Sequence, residues 1–590
     1  MQKRVITFIG MVLAVLMIVS CGGGGGGGNA ATTASVEAAD AAATTAAAAT
    51  TAAAAATEAA TTAASAEDTG PQMPVDGKYD PPITLTMSRS VDTNRSYMPG
   101  ESWDNNLWTV AYEERIGVKF DYVQTSMPDE YDNTLNIAIA SGDIPDYFKC
   151  NYETFYRLAL SGNLADLTDP IANYGTEAMK ANYEANGGLL VKQLSVGDKI
   201  HGLSGATDLT GAGQMLWYRD DWAEALNLGE PKTPQDVWDM AYTIASGDPN
   251  GDGSPVVGFG MSKELWDGGM GLNGWFAMDE AWPMIWIEDG EGGLMHGALH
   301  ENCKITLQKL QDAYKAGVID SDFINKGAWA EAPDDIVKHK IGLVSGPIWF
   351  GDWRCKDVMV ALESNTATWT KMPFPDAKTS YTARPDEIWV INANCDYPEA
   401  AILIGNLTGR LMTGDIAEGR YHDQRDPDGN IIDNFFHALG TSYNAITAWN
   451  LHCAYLVTAA LENGDTSSLN DEMMSYYERC KAYLDWAPGD STEGLLGYTS
   501  YSIFGPGGAE YVGERMDKGG MQLANAYYGP NTETMNENLG NLNTKRDEIF
   551  TAIILGQDVE QGFGEWVTFW NAMQGDKITE EVNEWYTINK

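Results

Sequence analysis

Gly22 to Gly28 is an unbroken glycine run, and residues 29–66 after it are almost wholly Ala and Thr, with a few acids and serines. This tract constrains the fold most, because it supplies none of the large apolar side chains from which a core is built. Glycine runs bury nothing and behave as flexible coil. Ordering the Ala/Thr tract would cost conformational entropy with no burial to offset it. Alanine favours helix, but the frequent Thr weakens that preference. Thr-rich stalks are also acceptors of glycans. Residues 22–78 are therefore expected to be a stalk. A core must come from the roughly 510 residues beginning at Lys78, enough for two or three domains.

The stalk follows a start of its own kind. Lys3 and Arg4 precede an almost entirely apolar stretch over residues 5–19, and small Ser20 precedes Cys21. The stretch is too short to span a bilayer as a helix and reads as a secretory signal over residues 1–20. Ile18-Val19-Ser20-Cys21 resembles a bacterial lipoprotein lipobox. That resemblance implies cleavage before Cys21 and attachment of lipid, palmitate among it, to the Cys21 sulfur. The protein would then be held on the outer face of the bacterial plasma membrane, with the stalk lifting the body away from the lipid. An ordinary secretory signal with a chance cysteine is the alternative.

The formal net charge is −46, from 37 basic and 83 acidic residues. Nucleic-acid binding draws on clustered Lys and Arg, so nucleic acid is excluded as an expected partner. The global field also disfavours polyanions such as uronates, although a local basic pocket overrides a global field. Neutral or cationic ligands fit best. Six cysteines follow Cys21, at wide and irregular spacings and with no CxxC pair, which argues against zinc and for buried free thiols.

Along the body, strand and helix patterns alternate. Ile83–Met87 alternates with period two, residues 103–117 read as a helix stopped at Gly117, Val118–Tyr122 as a strand, and 130–141 as a helix stopped by Gly142. Thr233, Pro234 and Asp236 form a capping-box-like start, followed by Val237, Met240, Ala241 and Ile244 on one face. A helix over about 301–316 ends at Gly317. Ile341–Val344 and Ile388–Ile391 read as buried strands. The class is α/β.

Several segments, in order, resemble extracellular solute-binding proteins of carbohydrate ABC transporters, most nearly the large lipoprotein subgroup called LplA-like. They are Ile137-Ala-Ile-Ala-Ser-Gly-Asp-Ile-Pro-Asp146, Gly162-Asn-Leu-Ala-Asp-Leu167, Gly197-Asp-Lys-Ile-His-Gly-Leu203, Leu216-Trp-Tyr-Arg-Asp-Asp-Trp222, Ala313–Asp320, Gly342–Trp349 and Pro398–Ala401. Each is weak alone; their order across the body carries the resemblance. It implies a two-lobed periplasmic-binding-protein-like fold (type II), with a hinge and an interlobe ligand cleft. Residues 80–208 and about 388–525 would form lobe 1, and 211–385 with about 528–590 lobe 2. Such clefts close by hinge motion.

Sugars are held by aromatic faces against their C–H surfaces and by carboxylates, amides and Arg at their hydroxyls. Gly346-Pro-Ile-Trp-Phe-Gly-Asp-Trp353 supplies such groups: Trp349, which resembles a ligand-stacking Trp of maltose-type binding proteins, with Asp352 and Trp353 beside it. Asn151 and Tyr152 follow a strand end, where open α/β sheets bind ligands. Trp103 and Asp104 fall near the first strand–helix turn, Trp217 and Arg219 near the crossing between lobes, and Trp275 and Trp282 in a Trp-rich insert. Core packing is the competing reading of each. Asp248, Asn250 and Asp252 have the spacing of the first three oxygen ligands of an EF-hand loop, but position 12 is Phe259 instead of Glu. Calcium is weighed there against a plain β-turn, and no other cofactor is expected. Asp426–Asn430 is more simply a turn. Gly269–Gly274 matches GxGxxG without the flanking strand and helix, and HExxH, GxSxG and P-loop patterns are absent from the sequence.

The expectation is a monomeric, non-enzymatic binder of an oligosaccharide that serves an ABC transporter permease. A surface glycosidase and a binder of peptides or other small solutes are the alternatives.

Overall fold

The computed structural model describes residues 72–589, apart from 93–94, 207, 267–268, 330, 353, 383, 386, 414–420, 422, 426–430 and 435–447. The glycine run, the Ala/Thr tract, Cys21, Trp353 and the Asp426–Asn430 turn lie outside the described residues.

The first sheet has the strand order Ile388–Ile391, Tyr147–Cys150, Ile83–Ser90, Val118–Ser126. Ile83–Ser90 runs parallel to Val118–Ser126 and to Tyr147–Cys150, while Ile388–Ile391 returns antiparallel along Tyr147–Cys150. Local chemistry fixes the connecting helices. Asn106 caps Leu107–Ile116 by accepting the amides of Trp108 and Thr109, and Thr109 bonds back to the Asn106 amide. Gly117 closes that helix at φ 68°, and Gly142 closes Tyr131–Ser141 at φ 83°. At Gly117 a side chain would also collide with the Tyr79 carbonyl.

The second sheet has the order Trp369–Met372, Met215–Arg219, Ile341–Gly346, Val257–Phe259. Met215–Arg219 is antiparallel to both of its neighbours, and Ile341–Gly346 is parallel to Val257–Phe259. Both faces of this sheet are covered, which is why its strands read as continuous apolar runs. Leu216, Tyr218 and Leu343 face one core with the helices Pro234–Ser246, Asn302–Lys315, Glu533–Ile554 and Val559–Ala572. Met215, Trp217 and Val344 face another with Phe350, Tyr483, Tyr498, Val512 and Met516.

Buried residues between Tyr79 and Leu203 join those between Ile388 and Tyr421 in a separate core around the first sheet. Helices Asp471–Asp485, Tyr498–Phe504 and Ala509–Lys518 pack against one another and with Trp217 and Phe350. No disulfide joins Cys150, Cys303, Cys355, Cys395, Cys453 and Cys480, and no described helix is long and apolar enough to cross a membrane.

Candidate functional site

The stretches from Leu203 to Met215 and from Thr379 to Ile388 pass between the core of the first sheet and those of the second, and they meet beside Gln522–Ala524. Thr379–Tyr381 pairs in parallel with Gln522–Ala524. Gln522 Nε2 donates to the Leu209 carbonyl at 2.7 Å, tying in the stretch that leads from Leu203 to Met215. Gly213 lies at this junction: a Cβ there would stand 2.7 Å from Thr379 Oγ1 and 3.1 Å from Gln522 Nε2. A side chain at Gly213 would have to displace those of Thr379, Met516 and Gln522.

Two cavities flank the crossing. The larger, about 820 Å³, opens between the cores: Asn151, Glu153 and Arg157 line one side, Pro530, Asn531 and Asn536 the other. The smaller, about 200 Å³, is walled by Trp286, His296, Arg384, Asn525, Asn543 and Arg546. Asn531 lines both. Arg384 holds the parts together. Its Nη2 lies 3.0 Å from Glu153 Oε1, its Nη1 donates to the Gly529 carbonyl at 3.1 Å, and its guanidinium sits 4.9 Å from the Tyr152 ring centre. Burial pushes the Tyr152 hydroxyl above its ordinary range. Burial, with the nearby Arg546 charge, pushes His296 down to about 3, so its ring is neutral. Amides, a carboxylate and guanidinium groups beside Tyr and Trp suit a polyhydroxylated ligand.

The sequence-selected residues are dispersed. Asn151 lines the larger cavity, where it also caps Tyr152–Leu160 by accepting the Thr154 amide and donates to Asp132 at 3.1 Å. Tyr152 is buried and serves as the platform under Arg384. Trp349 is 39% exposed and stacks on exposed Trp329, with centroids 5.9 Å apart and rings inclined by 20°, outside both cavities. Asp352 lies in the short helical turn Ile348–Asp352 beside it. Trp103 packs edge-on against Tyr122 and near Arg89, which donates to its carbonyl; exposed Asp104 accepts from Ser102. Trp282 donates to the Lys378 carbonyl at 2.6 Å.

Trp217, Arg219 and Trp275 are corrections. Trp217 and Trp275 are wholly buried, Trp217 against Phe350 and Trp275 against Phe259 and Trp238. Arg219 is 1% exposed, grips Asp221 through Nε and Nη2 at 2.8 and 2.6 Å, and lies over Trp222. None offers a face to a ligand here; each lies on or against a sheet covered on both sides.

Arg384, Glu153, Asn531, His296 and Arg546 escaped the sequence reading. They lie on stretches far apart along the chain that only the fold brings together, and the one local signal was the cluster of Asn and Tyr over Asn525–Asn531.

The loop at Asp248 uses its carboxylates on itself. Asp248 Oδ1 accepts the amides of Asp252 and Gly253, Asp252 accepts that of Ser254, and Asn250 donates to the His339 carbonyl. Phe259, where an EF-hand carries its bidentate Glu, is buried in a strand. Among the described residues no cluster of three His, Cys, Asp or Glu side chains could hold a metal. The donor set therefore does not fit an EF-hand calcium site.

No family model matches the chain. A 207-residue stretch, 34% of the chain, is 25% identical to the polygalacturonan/rhamnogalacturonan-binding protein YtcQ of Bacillus subtilis, and spans 39% of that protein. Among solved structures, the alginate-binding protein AlgQ2 without calcium ion is similar at a TM-score of 0.54 and 14% identity, over 86% of this chain and 99% of that one. The Streptococcus pneumoniae ABC-transporter substrate-binding protein FusA, in complex with kestose, gives 0.53 and 14% over 86% and 100%. An extracellular solute-binding protein from Bifidobacterium longum subsp. infantis gives 0.55 and 14% over 86% and 99%. With two α/β sheets and separate cores joined by crossing segments, the chain has the two-lobed fold of the substrate-binding proteins of ABC transporters.

Proposed function

We propose that this chain is an extracellular solute-binding protein that captures an oligosaccharide between its two lobes and delivers it to an ABC transporter permease. The carrying observation is the roughly 820 Å³ cavity that opens between the cores beside the crossing segments, lined by amides, a carboxylate and an Arg. Its size falls within the ~300–1,000 Å³ typical of ligand pockets. The names of similar proteins support the reading, since they include binders of polygalacturonan, alginate and kestose. Lobe 1 would be residues 80–208 with the segment beginning near 388, and lobe 2 would be 211–385 with 528–590. Helices between 449 and 518 ride on lobe 2. Binding is reversible, no bond is made or broken, and the working unit is a monomer. Trp349 and Trp329 give an exposed aromatic face suited to a sugar ring. Cys21 carries lipid and holds the protein on the outer face of the plasma membrane, as in the LplA-like subgroup.

A calorimetric titration of the purified chain against neutral and acidic oligosaccharides and a peptide panel tests this, with chromatography of the recovered ligand. Saturable binding of a glycan recovered intact supports the proposal. Binding of peptides alone sinks the carbohydrate reading, and cleavage of the glycan sinks the non-enzymatic one.

A further inference from the structure

Within the smaller cavity three side chains have spent their acceptors and keep a donor free. His296 is 5% exposed; its Nδ1 accepts the Ala298 amide at 3.3 Å, which leaves the proton on Nε2. Asn525 Oδ1 accepts the amides of Trp286 and Tyr527, at 3.0 and 3.2 Å, which fixes the orientation of its side-chain amide. Asn543 Oδ1 accepts from Arg546 Nη1 at 3.2 Å. Arg546 is 2% exposed and donates Nε to Asp547 at 2.8 Å. His296 Nε2, Asn525 Nδ2, Asn543 Nδ2 and Arg546 Nη2 meet no partner among the described residues. Two of these four side chains are more than nine-tenths buried, and all four line the same cavity.

Donors that face a cavity without a partner are complementary to a group that only accepts. Arg384 adds a second guanidinium, and no Asp or Glu is among the lining residues. Each guanidinium is already balanced by a carboxylate behind the wall, Arg546 by Asp547 and Arg384 by Glu153, so the cavity offers donors without a facing carboxylate. A carboxylate offers about four lone-pair sites and no proton. At about 200 Å³ the cavity has room for one small unit, not a chain, and through Asn531 it adjoins the larger cavity.

We propose that the smaller cavity is a carboxylate subsite, taking one uronate unit of an acidic oligosaccharide while the neighbouring units lie in the larger cavity between the lobes. This rests on the oligosaccharide reading and narrows its ligand class. The carboxylate would accept from Arg546 and His296, with Asn525 and Asn543 completing the shell; charge-assisted hydrogen bonds of this kind are about twice as strong as neutral ones.

The test is calorimetry of the full chain with trigalacturonate, its fully methyl-esterified form, a sulfated trisaccharide and a neutral oligosaccharide panel. The acid should bind about ten-fold or more tighter than the ester, and the preference should shrink with salt. Asn543→Asp places an acceptor in the donor wall with almost no change of shape. It should remove the preference for the acid over the ester. His296→Gln, which can still donate, should keep part of the preference. Equal binding of acid and ester, or tighter binding of the sulfated sugar, overturns the subsite and leaves the oligosaccharide reading standing. A preference for the acid that survives Asn543→Asp overturns its placement here. Failure of every glycan to bind overturns both.

Discussion

Arg384 and Glu153 are ion-paired at 3.0 Å, one on the segment that crosses between the lobes and the other on the first-lobe helix Tyr152–Leu160. Both are partly exposed, so solvent screens the pair, and its coupling should be about 0.2–1 kcal/mol. A double-mutant cycle with Glu153→Ala and Arg384→Ala, read by denaturant unfolding, should return a value in that range. Strict additivity would show that the pair does not clamp the crossing to the helix.

Trp349 should matter to ligand and little to folding. Its exposed ring leaves Trp349→Ala within ~0.5 kcal/mol of the parent stability. Affinity for a bound oligosaccharide should fall about ten-fold. Titration together with a melting curve separates the two effects. Lost stability with unchanged affinity would make Trp349 a packing residue.

Glu510 predicts a pH dependence. It is 1% exposed, and burial together with nearby Asp208 pushes its carboxyl up to about 8, against a hydrogen bond from Thr210. An acid whose folded value is raised binds its proton more tightly in the native state. Stability is therefore fullest below about 4.5 and falls as pH rises through the window to about 8. Glu510→Gln should flatten this decline and melt a few degrees higher than the parent at pH 8. Parallel melting curves of the two proteins from pH 5 to 8 would refute the assignment.

Asp320 predicts the opposite slope. Burial alone would raise its carboxyl, but hydrogen bonds from Lys326 and the Asp322 amide outweigh burial and hold it below the usual carboxylate range. Its contribution is complete above the unfolded value and is lost as pH falls through the depressed folded value. Asp320→Asn should destabilise the protein at neutral pH, and the difference from the parent should shrink toward strongly acidic pH. A difference that is constant with pH would exclude the ionic role.

Cys21→Ser should abolish incorporation of labelled palmitate and release the protein from the cell surface into the medium. Retention of label on the variant would refute lipidation at Cys21.

Much of the fold was legible along the chain. Asn106 aside, the helix limits at Gly117, Gly142, Thr233 and Gly317 are local events, in which a capping side chain or a positive φ decides an end within a few residues. The buried strands at Ile341 and Ile388 announced themselves because both sides of each are covered. The site was not legible in that way. Trp217 and Trp349 are both Trp beside a crossing or a turn, yet one is buried and the other exposed, and only the packing of helices 471–518 on the second sheet separates them. The donor wall of the small cavity depends on which way Asn525, Asn543 and His296 spend their acceptors. Asn543 and His296 spend theirs within three residues, whereas Asn525 reaches the Trp286 amide in the Trp-rich insert, and only the fold gathers all three around one cavity. Periodicity and capping are short-range and were written in the sequence; exposure and the gathering of side chains around one cavity are long-range, and the tertiary structure decided them.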